Sequence, residues 1–199
     1  MTTQMHDGYF ETLTLEAMSP DQRRVADRIL AGPRGSLQGP FQALLRSPGL
    51  ADPVQQVGEH IRFNSSVPRK LNELAILVTA RAWSSQFEWY AHHRMALDAG
   101  LDPAIAEAVA EGRRPNGMSP DEALVHNFAR SLLASGGASL EMTDAVRERF
   151  GEGGLVDLTG AVGFYCLISL VLNVARVPVP DGVEPPLKPL PNQPRGQGG

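Results

Sequence analysis

Within Ser85-Gln86-Phe87-Glu88-Trp89-Tyr90-Ala91-His92-His93, three polar residues fall at positions i, i+3 and i+7. On a helix that spacing puts the Ser85 hydroxyl, the Glu88 carboxylate and the His92 imidazole along one face. Glu88 and His92, four apart, can hydrogen-bond directly, which orients an imidazole and holds its tautomer for general acid or base work. Met95 and Ala99 continue the face, so the stripe points toward protein interior or a pocket. Upstream, Glu73 has Ile76, Leu77 and Ala80 at i+3, i+4 and i+7, an apolar surface on which an unpaired carboxylate is costly. It requires a partner or a raised pKa, and a carboxylate that merely crosslinks two helices is the alternative to a chemical one.

The elements that must position these groups are helical throughout, with no strand signal. Ser19-Pro20-Asp21-Gln22 reads as an N-cap, a first-turn proline and a capping-box glutamine, opening a helix that Gly32-Pro33 closes. A short helix over Pro40–Arg46 is expected to end at Ser47-Pro48-Gly49, and Asp52-Pro53 to open another reaching about Phe63. Pro68 starts a helix over Arg69–Ala82 that is apolar almost all round its axis and hence buried. Ser84–Ala99 follows so closely that the two form a helical hairpin or a sharply bent pair. Asp102-Pro103, Ser119-Pro120-Asp121-Glu122 and Ser139 cap three more helices, the last running to Phe150, before a long apolar helix over Leu155–Val174. The reading is an all-α, single-domain, multi-helix orthogonal bundle with a central helical hairpin. An N-terminal segment covers residues 1–18 and the helical domain residues 19–176. A proline-rich arm or tail covers residues 177–199 and could lie across a neighbouring surface.

Composition excludes several function classes. The 199 residues carry 18 Lys plus Arg against 22 Asp plus Glu, a net charge of −4, which does not ask for nucleic acid. No apolar run approaches the roughly 18 residues of a membrane helix, and the polar opening Met1–Tyr9 lacks a signal peptide's pattern, so a cytoplasmic protein is expected. A single cysteine, Cys166, allows neither an intrachain disulfide nor a CxxC pair, and its apolar setting reads as a small buried hydrophobe.

Arg69-Lys70-Leu71-Asn72-Glu73-Leu74-Ala75-Ile76-Leu77, then Ser85 to His93, then Ala99-Gly100-Leu101, together resemble the signature of the carboxymuconolactone decarboxylase-like family. The likeness extends more loosely over about residues 35 to 185, through Gly39-Pro40, Ser47-Pro48-Gly49-Leu50, Asn173, Pro178 and Pro180. In the branch similar to alkyl hydroperoxide reductase partner proteins, a glutamate precedes a CxxCxxxH motif. In that register the glutamate is Glu73, the cysteine positions are Ser85 and Glu88, and the histidine is His92. With both thiols missing, disulfide-relay chemistry is not expected.

The resemblance implies instead the decarboxylase branch: loss of carbon dioxide from a lactone acid without metal or organic cofactor, in aromatic catabolism, by a homo-oligomer (trimer, hexamer or dimer). Decarboxylation of an unsaturated lactone leaves a dienolate, which needs donors near the lactone oxygen and an acid to protonate carbon. On this reading His92 is the acid, held by Glu88 or Glu73, and Ser85 donates a hydrogen bond to substrate. Arg62, Arg81 and Arg94 are the nearest cations for a substrate carboxylate, with Arg62 and Arg81 the candidates carried forward. His93 and Trp89 are candidate substrate contacts, though a supporting or surface position is equally natural for His93, about 100° round the helix from His92. Phe87, Trp89, Tyr90 and Tyr165 are candidate walls. Two other readings compete. A metal site could use Glu73, Glu88 and His92, although carboxylate-bridged centres use Glu-x-x-His rather than this Glu-x-x-x-His. A non-catalytic helical binding protein could keep the fold without the activity.

Overall fold

The computed structural model describes residues 8–190; residues 1–7 of the N-terminal segment and 191–199 of the arm lie outside the described part. Its order is α1 (Pro20–Ala31), α2 (Phe41–Leu44), α3 (Pro48–Glu59), a π-helical turn (His60–Asn64), α4 (Arg69–Ala82), α5 (Gln86–Asp98), α6 (Pro103–Ala110), α7 (Pro120–Ser135) and α8 (Leu140–Val174). No strand occurs among the described residues, and the all-helical expectation holds. The caps act where the sequence places them. Ser19 with Gln22 and Ser119 with Glu122 form capping boxes, and Asp102 and Ser139 each accept from a first-turn backbone N–H.

Helix α4 is the axis of the fold. Every residue from Leu71 to Arg81 is buried, and α5, α7 and α8 pack around it. The reversal into α5 is tight: Ser84 takes a left-handed φ of 48°, uncommon for a residue with a Cβ, and Ser85 N–H donates to the Ala80 carbonyl. Leu74, Leu77, Trp89, Val125, Phe128, Val146 and Leu158 fill the main core. A second cluster, including Val25, Ile29, Phe41, Leu45, Ile168 and Leu172, joins α1 to α3 with the end of α8.

Two boundaries differ from the sequence reading. Helix α3 begins at Pro48 and passes through Pro53. Pro48 sits in the first turn, where its missing N–H is no loss, and Pro53 sacrifices one bond, to the carbonyl of Gly49. The helices ending at Phe150 and beginning near Leu155 run on as α8, separated by one non-helical residue, Gly151 (φ 74°, ψ 175°). Helix α8 is long and apolar enough by composition to cross a membrane, contrary to the expectation from its sequence. Its buried face packs against α4 and α7.

Asp157 of α8 secures the π-helical turn. Its carboxylate accepts from His60 Nε2 (2.9 Å) and from the Ser66 backbone N–H and hydroxyl (both 2.8 Å). Burial would raise its pKa, but these donors outweigh it and hold the carboxyl down at about 2. Asp157→Ala should destabilise by about 2 kcal/mol, read as a fall in Tm of about 5 °C. Because the folded pKa is depressed, the contribution is present above the ordinary value of 3.8 and lost as pH falls toward about 2.

The arm folds back on its own chain. Leu187 is buried in the main core, Gln86 exchanges two hydrogen bonds with the Leu187 backbone (2.9 Å each), and Arg81 Nη1 donates to the Lys188 carbonyl at 3.0 Å.

Candidate acid/base site beside a lined cavity

His92 is held between two carboxylates. Its Nδ1 lies 2.7 Å from Glu73 Oε2 on α4, and its Nε2 lies 3.1 Å from Glu88 Oε1 one turn back on α5. All three side chains are about 95% buried. The apolar face around Glu73 and the i, i+4 spacing on α5 thus converge, because the tight reversal at Ser84 lays the hairpin helices side by side. The ring of Tyr165 from α8 meets His92 edge-on, with centroids 4.9 Å apart.

Burial of an imidazole favours its neutral form, but the hydrogen bonds and charges of Glu73 and Glu88 win, and the His92 pKa rises to about 9. At neutral pH His92 is therefore an imidazolium, with a proton on each nitrogen. Burial, with the Glu88 charge nearby, also lifts the Tyr165 hydroxyl well above its ordinary pKa, so it too stays protonated.

Beside this cluster is a cavity of about 230 Å³. Glu88, His92 and Met95 form one wall; Phe41, Phe87, Phe164 and Tyr165 supply aromatic surface; Arg34 and Arg62 reach it from the loop after α1 and from the π-helical turn. Glu73 does not line it and sits behind His92. The arrangement offers a buried cationic acid, one carboxylate and two guanidiniums around an aromatic chamber.

The predicted residues divide. Glu73, Glu88 and His92 come together, and Arg62 joins them at the cavity, its Nη2 3.3 Å from Met95 Sδ. Ser85 does not. It is the N-cap of α5 with extended backbone (φ −76°, ψ 100°), so helical projection does not apply to it, and its side chain leaves the Glu88–His92 stripe. It lines a separate groove of about 810 Å³ beneath residues 177–183, which none of Glu73, Glu88 and His92 reaches. Arg81 is buried on the arm side, bonded to Ser84 Oγ and the Lys188 carbonyl. Trp89 belongs to the main core and stacks on His93 at 5.9 Å, and neither faces the cavity. Arg94 is exposed, near Asp98. Of the proposed aromatic walls, Phe87 and Tyr165 line the cavity and Tyr90 does not.

Arg34, Phe41 and Phe164 were not found by reading the sequence. Arg34 stands in Gly32-Pro33-Arg34-Gly35, where no periodicity points anywhere. The one usable signal was an arginine fixed in a short Gly/Pro turn, in contrast to one on a solvated helix.

The backbone arrangement matches a solved structure, described as an alkylhydroperoxidase AhpD core, an uncharacterized peroxidase-related protein from Ralstonia eutropha JMP134. The TM-score is 0.72 over 88% of this chain and 94% of that one, at 17% identity. This chain has the AhpD-core fold. At that identity the likeness is one of fold, and it agrees with the resemblance carried by residues 69 to 101. No protein-family model and no curated protein matches the chain. In the register of the resemblance over residues 69 to 101, Ser85 and Glu88 stand where the redox motif has cysteines, and the chain's single cysteine lies on α8.

Proposed function

We propose that this AhpD-core protein is a cofactor-independent, decarboxylase-like lyase acting on a small carboxylated or lactone substrate. The observation that carries the reading is the His92 imidazole, fixed between Glu73 and Glu88 at the edge of an arginine-lined cavity. Loss of carbon dioxide from an unsaturated lactone acid moves the C–C bonding pair into a dienolate, and carbon then takes a proton. His92 supplies that proton from the cavity side, where Glu88 orients Nε2–H. Glu73 holds Nδ1–H and keeps the ring in place as its charge changes. Tyr165 is the donor available to the developing oxyanion, in a chamber whose aromatic walls limit water.

The name of the solved neighbour suggests peroxide chemistry as the competing reading. A disulfide relay needs two thiols, and this chain has one. A metal held by His92 would need a free ring nitrogen, and both face carboxylates at 2.7 and 3.1 Å. The same reading takes the protein as a cytoplasmic homo-oligomer, for which the exposed α8 residues Val156, Gly160, Gly163, Leu170 and Val174 form a continuous small and apolar stripe.

The test is incubation with a panel of unsaturated lactone acids without added cofactor. Release of carbon dioxide is expected, together with a rise in Tm with small carboxylic acids. No turnover across the panel, combined with an unmoved Tm, would leave a non-catalytic scaffold.

A further inference from the structure

Arg34 is the least satisfied charged group around the cavity. Its Nη2 is buried and has no hydrogen-bond partner among the described residues. Neither Arg34 nor Arg62 is paired with a carboxylate among those residues, although ten other cationic side chains in the fold, two of them histidines, are. A buried, unpartnered guanidinium N–H is costly, so an arrangement that maintains one invites an acceptor from outside the chain.

That arrangement is built. The Arg34 guanidinium lies over the Phe41 ring, 5.0 Å from its centroid. Helix α3 also comes so close that a Cβ on Gly58 would fall 2.7 Å from Nη2 and 2.6 Å from Phe164 Cζ. Glycine in mid-helix costs about 1 kcal/mol against alanine, and here the missing methyl is the room in which the guanidinium and the Phe164 ring sit. The charged groups lining this space are Arg34, Arg62, Glu88 and His92, three cations and one carboxylate, with Glu73 behind His92 and Glu59 within electrostatic reach of Arg34 completing a balanced set. The cavity wall itself thus carries more cations than carboxylates, although no net charge is left over in the wider cluster.

We propose that Arg34, with Arg62 opposite, is the anion clamp of the cavity: it takes a carboxylate of a planar, unsaturated acid whose body lies among Phe41, Phe87, Phe164 and Tyr165. Gly58 is the positioning residue that leaves Arg34 its seat. The assignment rests on the lyase reading for the statement that this acid is also the substrate. It adds that the clamped carboxylate is one the reaction retains, because a guanidinium on the departing group would stabilise the charge that must leave it.

Isothermal titration of the full chain with benzoate and with its neutral isostere benzamide separates the possibilities. The unaltered protein should bind benzoate at least about tenfold more tightly than benzamide. Arg34→Gln should lose about tenfold or more in benzoate affinity and change benzamide affinity by less than about threefold. Arg34→Lys, which keeps the charge but not the fork, should fall between. Gly58→Ala should reproduce the selective loss, with unchanged circular dichroism showing that the fold persists. No benzoate binding at millimolar concentration, equal affinity for the two probes, or benzoate affinity unmoved in Arg34→Gln overturns the clamp. If benzoate selectivity depends on Arg34 while no lactone acid is turned over, the lyase reading fails and the clamp stands. Turnover with an indifferent Arg34 gives the reverse.

Discussion

Replacing His92 by glutamine is expected to lower turnover of a lactone acid by about 10²- to 10⁴-fold, the range associated with removal of a positioned acid. Glutamine is close in size to the imidazole and can still donate to Glu73 or Glu88, so the cavity wall is retained while the transferable proton is lost. The affinity for small carboxylates, carried by the arginines, should change little, so the loss should appear in kcat rather than KM. Activity within threefold of the unaltered protein would remove His92 from the chemistry. The pH profile is a second check on the same group. With a pKa raised to about 9, the imidazolium persists through neutrality, and kcat should fall as pH rises through about 9 rather than through the ordinary 6.5.

The second large effect is on stability. Glu73→Ala leaves a buried imidazolium short of its 2.7 Å partner, and breaking a buried pair from one side costs about 3–5 kcal/mol, or roughly 10 °C in Tm for a chain of this size. The pH dependence has a definite sign. The folded pKa of His92 lies above its unfolded value, so the unfolded chain releases this proton first as pH rises. The stabilisation is complete below 6.5 and disappears as pH passes through about 9. A rise from 6.5 to about 9 corresponds to about 3 kcal/mol. Urea unfolding near pH 6 and near pH 9.5 should show this difference in the unaltered protein and a smaller one in Glu73→Ala. Equal stability at the two pH values would mean that His92 is neutral throughout.

By itself the sequence determined the helices, their caps and the core of the site. Capping boxes at Ser19 and Ser119 are local chemistry, complete within four residues. Glu88 and His92 are neighbours by the helix repeat alone, and Glu73 declared itself by being a carboxylate on an apolar face. The short break after Ala82 paired the two helices, and the resemblance over residues 69 to 101 put Glu73 in one motif with His92.

Only the tertiary structure decided the rest, for reasons that are not local. Ser85 looked like a member of the stripe because projection assumes a helix, and one residue of extended backbone at the cap sends it to another groove. Arg81 was a candidate for substrate until the arm, more than a hundred residues later, returned to occupy it. Arg34 was silent because a Gly/Pro turn has no periodicity, and its place depends on the Phe41 ring against it and on the bare Cα of Gly58 beside it. The acid Glu73–His92–Glu88 is written in the spacing of two adjacent helices. The surroundings that would select its substrate are assembled from the loop after α1, from α2, α3, the π-helical turn, α5 and α8, and no stretch of sequence contains them.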